Sequence, residues 1–213
     1  MSLLYLVRHG ETDWNRQRRI QGRSDVPLND TGRAQARSTA QVLAGREWGG
    51  IYSSPLSRAL ETAEIIATEL GMASPIALDS LTERDYGDAE GSTDAELSIR
   101  YPGQVPVEGR ESRSDVADRV LPVLTELARR HEGESLLVVS HGGVIRSLLL
   151  AVAPGDGKHH DEPITNGSVH SFRHAEGSLE LVQFDDPLEE QTVGDGSGDI
   201  EEQNAVERRD TQG

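Results

Sequence analysis

Twice in this chain an apolar run delivers a histidine into a glycine. Leu3 to Val7 leads directly into Arg8, His9 and Gly10, and SLLVVS leads into His141 and Gly142. A buried strand normally closes in turn residues, because guanidinium and imidazole groups are costly to desolvate. Two more polar groups follow strand-like stretches in the same way: Arg58 after GGIYSSP, and Glu83 after PIAL and a short linker. Two guanidiniums and two imidazoles facing one point would repel strongly unless an anion sat between them. Gly10 and Gly142 let backbone and imidazole approach that anion closely, and a helix beginning at Gly142 would add its positive end. The implied ligand is a phosphoryl group.

For these groups to meet, the elements that carry them must end at a common edge. In open α/β sheets that edge is the carboxyl end of the strands, where ligands bind. Leu3–Val7 is continuously apolar, the pattern of a parallel strand covered on both faces. GGIYSSP, PIAL and ESLLVVS read as further strands, and VHSFRH and LELVQF, separated by AEGS, as a closing hairpin. A helix should begin near Asp30–Thr31, with Ala34, Ala36, Ala40 and Leu43 turned inward and Gly45 beyond its end. LSRALETAEIIATEL is a second helix, closed by Gly71. A short helix over Asp94–Arg100 must end before Pro102. SDVADRVLPVLTELARRH has helical spacing, with Pro122 predicting a kink or a later start. GGVIRSLLLAVA is the last helix, and TDWNRQRRIQGRSDVPLND reads as a polar loop. The expected fold class is α/β, a layered sandwich with a mostly parallel central sheet flanked by helices.

The 213 residues suit one well-filled domain, expected over 1–185. Residues 186–213 read as an acidic, Gly-rich flexible tail. From Asp185 onward the chain carries −8 of its formal −16. That excess argues against nucleic acid or an anionic membrane as partner, since both want a cationic face. Cysteine is absent, which excludes disulfides, thiolate nucleophiles and thiolate metal sites. No stretch approaches the ~20 apolar residues of a membrane span, and no secretory signal is recognisable, so a cytoplasmic protein is expected. Lys158 is the only lysine among the basic residues.

Other polar residues invite a plainer reading. Arg16, Arg18, Arg19 and Arg23 form a basic loop that is either solvated or attracts anionic substrates. His159, His160 and Asp161 in KHHDEP do not by themselves define a coordination geometry, and no metal site is expected. His170 and His174 share one face of a strand, where packing or exposure suffices. Trp14 suits packing beneath the catalytic loop, and Asp88 and Glu90 are acidic neighbours of the candidate site.

RHGET, SSPLSRALETA, LTERDYGDAEG and VVSHGG, in that order, resemble the motifs of the histidine phosphatase superfamily, also called the phosphoglycerate mutase-like family. The resemblance spans roughly Leu3 to Phe184. It implies that His9 is a nucleophile that becomes phosphorylated, that Arg8 and Arg58 bind the transferring phosphoryl oxygens, and that His141 helps to stabilise the group. Glu83 falls where the family has its proton donor. Asn15, Gln21 and Gly22 match positions that the family uses around phosphate and substrate. This assignment is physically consistent, since phosphoryl transfer is mostly positioning and charge neutralisation, which fixed Arg and His groups supply without a metal or cofactor.

Three activities compete on these residues. The first is a phosphomonoesterase acting on a small phosphorylated metabolite, the second a cofactor-dependent phosphoglycerate mutase, and the third a noncatalytic phosphate-ligand binder. Degenerate relatives usually lose one of the essential groups, and here all are present. Only 57 residues separate Glu83 from His141, whereas the mutases resemble this chain with a longer insertion that helps to exclude water. The short form therefore favours the phosphatase branch. Selectivity should reside in Asp85–Arg113 and Pro154–Gly167. Tyr86 and Tyr101 are the only aromatics in the first of these, which suits a small or polyhydroxylated phosphoester. The resemblance also implies a homodimer, although no interface is specified.

Overall fold

Leu3–Val7 is apolar at every position because both faces of its strand are covered. The computed structural model describes residues 1–103, 105–153, 159 and 161–185. Its elements run β1 (Ser2–Arg8), α1 (Asp13–Arg16), α2 (Asp30–Leu43), β2 (Gly50–Ser53), α3 (Ser57–Leu70), β3 (Ile76–Ala77), α4 (Asp94–Arg100), α5 (Arg113–Arg130), β4 (Ser135–Ser140), α6 (Gly142–Val152), β5 (Val169–Ala175) and β6 (Ser178–Gln183). The strands form one six-stranded sheet in the order β3-β2-β4-β1-β5-β6. β1 to β4 are parallel where they pair, and β5 and β6 close the sheet antiparallel.

Strand alternation splits the interior in two. Leu4, Leu6, Leu136 and Val138 pack with residues of α5 and α6, such as Val120, Leu124 and Ile145. Tyr5, Val7, Leu137 and Val139 point the other way, onto Ala40, Leu43, Ala63 and Ile66 of α2 and α3. This is the α/β sandwich the strand pattern implied. A third, smaller cluster of Ile20, Tyr86, Ala89 and Leu97 lies outside the sheet and joins the segment before α2 to the one that carries α4.

Several boundaries differ from the sequence expectation. Asn29 caps α2 through the Gly32 N–H, and Ala34 turns outward while Gly32 and Thr39 take inward places. The stretch read as a loop contains one helical turn, α1, closed by a capping box between Thr12 and Asn15. α5 starts at Arg113 and continues across Pro122, so the later start does not occur. Pro122 faces solvent, where water can take up the carbonyl its ring leaves without an amide partner. PIAL contributes only Ile76 and Ala77 to the sheet, paired with Tyr52 and Ser53 of β2. The hairpin turns on two residues, Glu176 and Gly177, both with positive φ, instead of all of AEGS. The expected tail over 186–213 lies outside the described residues, as do 154–158 and 160 of the expected selectivity segment.

Candidate active site

Neighbouring parallel strands end together. β1 pairs with β4 in a register that sets Arg8 opposite Ser140, so the next residues, His9 and His141, emerge side by side. The His9 amide donates to the Ser140 carbonyl at 3.0 Å, and the two imidazole centroids lie 5.1 Å apart. His9 Nδ1 lies 2.6 Å from the Gly10 carbonyl oxygen. That contact places the ring proton on Nδ1 and leaves the Nε2 lone pair available. Burial, reinforced by Arg58 and Arg8, holds the His9 pKa well below the usual histidine range. His141 is lowered in the same way, by burial first and then by Arg58, His9 and Arg8, and among the described residues neither of its ring nitrogens has a hydrogen-bond partner. Both imidazoles are therefore neutral near pH 7. The repulsion expected among four cations is confined to the two guanidiniums.

Those guanidiniums rest on carbonyls. Arg8 Nη1 donates to the Ile164 carbonyl. Arg58, fully buried in the first turn of α3, donates from Nη2 to Gly22 O at 2.7 Å and from Nη1 to Ser24 O at 2.9 Å. Its Nε lies 3.3 Å from His9 Nε2. Burial lowers the Arg58 pKa to about 10, against the opposing pull of Glu83, Asp25 and Glu90. The side chain still carries its charge at neutral pH. Gln21, its amide nitrogen donating to Thr12 Oγ1 at 2.6 Å, accepts from Arg58 Nε at 2.9 Å. Carbonyl dipoles orient a guanidinium but leave its net charge for an incoming anion.

Glu83, also buried, faces the start of α6. Its Oε1 accepts from the Arg84 and Val144 amides at 2.7 and 3.1 Å, and its Oε2 from the Gly143 amide at 3.0 Å. The Gly143 and Val144 amides are first-turn donors of α6, whereas the Arg84 amide belongs to the loop that carries Glu83. Gly142 lies against Arg8, and a Cβ on Gly143 would meet Glu83 Oε1 at 2.6 Å and the Tyr86 hydroxyl at 2.8 Å. The close approach expected at Gly142 is therefore made by Gly143 instead, since a Cβ on Gly142 would sit in ordinary contact with Arg8 Nε at 3.5 Å.

The residues singled out from sequence, Arg8, His9, Asn15, Gln21, Gly22, Arg58, Glu83, His141 and Gly142, all converge on this edge. Asn15 Oδ1 accepts from Asn166 Nδ2 at 3.3 Å, and the same nitrogen donates to the His9 carbonyl at 2.9 Å. Asn166 was not foreseen, nor was Thr62, whose hydroxyl accepts from the Gly10 amide at 3.1 Å and donates to the Arg58 carbonyl at 2.7 Å. Thr62 lies one helical turn beyond Arg58, a spacing that could have marked it, and Asn166 precedes a glycine in a turn. The basic loop is largely paired: Arg16 with Asp13, Arg19 with Glu96, and Arg23 near Asp85 and Glu111. His159 stacks on Phe184, and His170 is buried between Ser168 and the Asp185 amide. Trp14 lies against Gly91.

Residues 4–187 match the profile of the family described as the histidine phosphatase superfamily (branch 1). A protein of Bacillus subtilis named uncharacterized phosphatase PhoE is 38% identical over 86% of this chain and 94% of its own length. A protein of Cytophaga hutchinsonii named 2,3-bisphosphoglycerate-dependent phosphoglycerate mutase is 30% identical over 91% of this chain and 92% of its own. Among solved structures, a mycobacterial glucosyl-3-phosphoglycerate phosphatase complexed with VO3 superposes with a TM-score of 0.78 at 30% identity, covering 86% of this chain and 98% of that one.

Proposed function

The chain belongs to the histidine phosphatase superfamily and is a phosphoric monoester hydrolase, and from that premise we propose that it works through a phosphohistidine on His9, without a metal. The observation that carries this reading is the His9 ring: proton on the Gly10 side, lone pair on the side of Arg58 Nε. His9 Nε2 attacks phosphorus as the ester P–O bond breaks, and the leaving alkoxide takes a proton from the Glu83 carboxyl group. Water then attacks phosphorus as the P–Nε2 bond breaks and gives a proton to the Glu83 carboxylate, releasing phosphate and neutral His9. Arg8, Arg58 and His141 hold the phosphoryl oxygens, with the α6 N-terminus behind them.

The first step needs the acid form of Glu83, and the bound substrate itself promotes it. A phosphoryl dianion brought beside Glu83 favours proton uptake by it. Asn15, Gln21, Gly22 and Gly142 line the rest of the phosphoryl site. The selective surface is assigned to 85–113 and 154–167, and a small or polyhydroxylated phosphoester suits it best. We place the catalytic domain at 1–185 and a separate acidic tail at 186–213. The acidic balance supports the absence of nucleic-acid and anionic-membrane partners, a cytoplasmic setting is proposed with it, and kinship to the family supports a homodimer. Among the described residues no helix is long and apolar enough to cross a membrane.

The test is phosphate release from a panel of phosphomonoesters in the presence of chelator, with His9→Ala alongside and 3-phosphoglycerate among the substrates. Chelator-resistant release that His9→Ala abolishes, and that exceeds conversion of 3-phosphoglycerate to its 2-isomer, is the expected outcome. Isomerisation outrunning release would make the chain a mutase despite its short Glu83–His141 segment. Phosphate binding with neither release nor a phosphorylated His9 would point to the noncatalytic binder.

A further inference from the structure

Arg58 depends on two carbonyls, and those carbonyls depend on Glu90. The Glu90 carboxylate accepts from the Arg23 amide at 2.7 Å through Oε1, and from the Ser24 amide at 2.9 Å and the Ser24 hydroxyl at 2.5 Å through Oε2. Three donors from two successive residues thus pin the segment whose Gly22 and Ser24 carbonyls receive the Arg58 guanidinium. Gly22 fits because it has no side chain, since a Cβ there would overlap Glu90 Oε1. The same two segments are laced on the far side of Glu90 by Gly91 N to Ile20 O and Ile20 N to Ser92 O, each 2.9 Å. They share the small apolar cluster of Ile20, Tyr86, Ala89 and Leu97.

We propose that Glu90 is a positioning residue that couples the substrate-side segment carrying α4 to Arg58. By fixing Arg23 and Ser24 it sets where the Arg58 guanidinium points, and hence how well the site matches a phosphoryl group in transfer. Glu90 itself touches neither His9 nor the reacting atoms. A displacement of Glu90 would therefore reach Arg58 through the Arg23 and Ser24 amides that its carboxylate holds. The inference rests on the phosphatase reading for its kinetic test but not for its binding test.

The experiment compares wild type, Glu90→Ala, Glu90→Gln and Asp88→Asn with p-nitrophenyl phosphate as substrate and vanadate as a trigonal-bipyramidal phosphoryl mimic. Misplacement of an oriented group by ~1 Å costs on the order of a hundredfold. Glu90→Ala should therefore lower kcat by about 100-fold while KM stays within about threefold, and it should weaken vanadate inhibition by a similar factor. The inhibition constant matters because it does not depend on what fraction of the preparation is folded. Glu90→Gln keeps one acceptor oxygen and should fall between. Asp88→Asn removes an equal charge from an exposed position two residues away and should leave both constants unchanged. An unaltered vanadate constant in Glu90→Ala, or equal losses in Glu90→Ala and Asp88→Asn, would overturn the proposal. If wild type hydrolyses no phosphomonoester, the phosphatase reading fails, and calorimetric binding of inorganic phosphate to the same four proteins decides the coupling alone. Weaker binding in Glu90→Ala than in Asp88→Asn upholds it, and equal binding refutes it.

Discussion

Glu83 carries the least ordinary burden of any side chain in the site. Three backbone amides hold its carboxylate, yet the proposed first step needs its acid form. The need is greatest where the leaving group is a poor one. Glu83→Gln should lower kcat for an unactivated alkyl phosphate by about 100-fold or more, and far less for p-nitrophenyl phosphate, whose phenolate leaves unaided. Equal losses on both substrates, measured side by side, would remove Glu83 from proton transfer. Arg8, His9, Arg58 and His141 were legible in sequence because each is a chemically distinctive residue at the end of a strand or the start of a helix, whereas Glu83 stood out through the LTERDYGDAEG stretch that carries the family resemblance. Glu90 was noticed only as an acidic neighbour. The carbonyls of Gly22, Ser24 and Ile164 left no trace, because every residue has a carbonyl and only the fold decides which ones face a guanidinium.

At the scale of elements, the sequence pattern marked the strands and long helices better than their ends. Continuous apolar runs identified β1 and β4 because both of their faces are covered. Gly71, with φ near 66°, ended α3 as expected. Pro122 misled, since a proline is excluded from a helix interior only when the carbonyl it strands has nowhere to turn. On the exposed face of α5 that carbonyl can turn to solvent. The cost remains, so Pro122→Ala should raise stability by about 1–3 kcal/mol without changing turnover. Thermal denaturation with a parallel activity assay tests this, and an unchanged or lower Tm would mean that the helix has relaxed fully around the ring. α1 was missed because four residues cannot show a period, and the Thr12–Asn15 capping box is its only local sign.

At the scale of the molecule, three of the described histidines, His9, His141 and His170, are buried in neutral form. The His170 pKa is lowered to about 3, first by burial and then by Arg146, and His9 and His141 are lowered in the same direction. In each case the unfolded chain, titrating near 6.5, binds the proton that the folded chain refuses. The stability these groups contribute is therefore complete above pH 6.5 and is lost as the pH falls. Where the unfolded imidazoles are protonated and the folded ones are not, three protons correspond to a slope of about 4 kcal/mol per pH unit. Denaturant midpoints measured from pH 7.5 to 4.5 should fall steeply below 6.5, and less steeply in His170→Asn. A flat profile would mean that these rings take up protons without unfolding.

The pairing of Arg8 with Ser140 across β1 and β4 also bears on how such a protein can change over time. The two imidazoles are spaced by a ladder of backbone hydrogen bonds, which is indifferent to side-chain identity and to what lies between the strands. Insertions and deletions between Glu83 and the start of α5 at Arg113 can redraw the substrate's surroundings without touching the β1–β4 ladder that spaces His9 and His141. Chemistry and selectivity are thus inherited on separate parts of the chain. A lineage can exchange one phosphoester for another, or water for a second hydroxyl as acceptor, while the machinery that handles the phosphoryl group stays where the sheet put it.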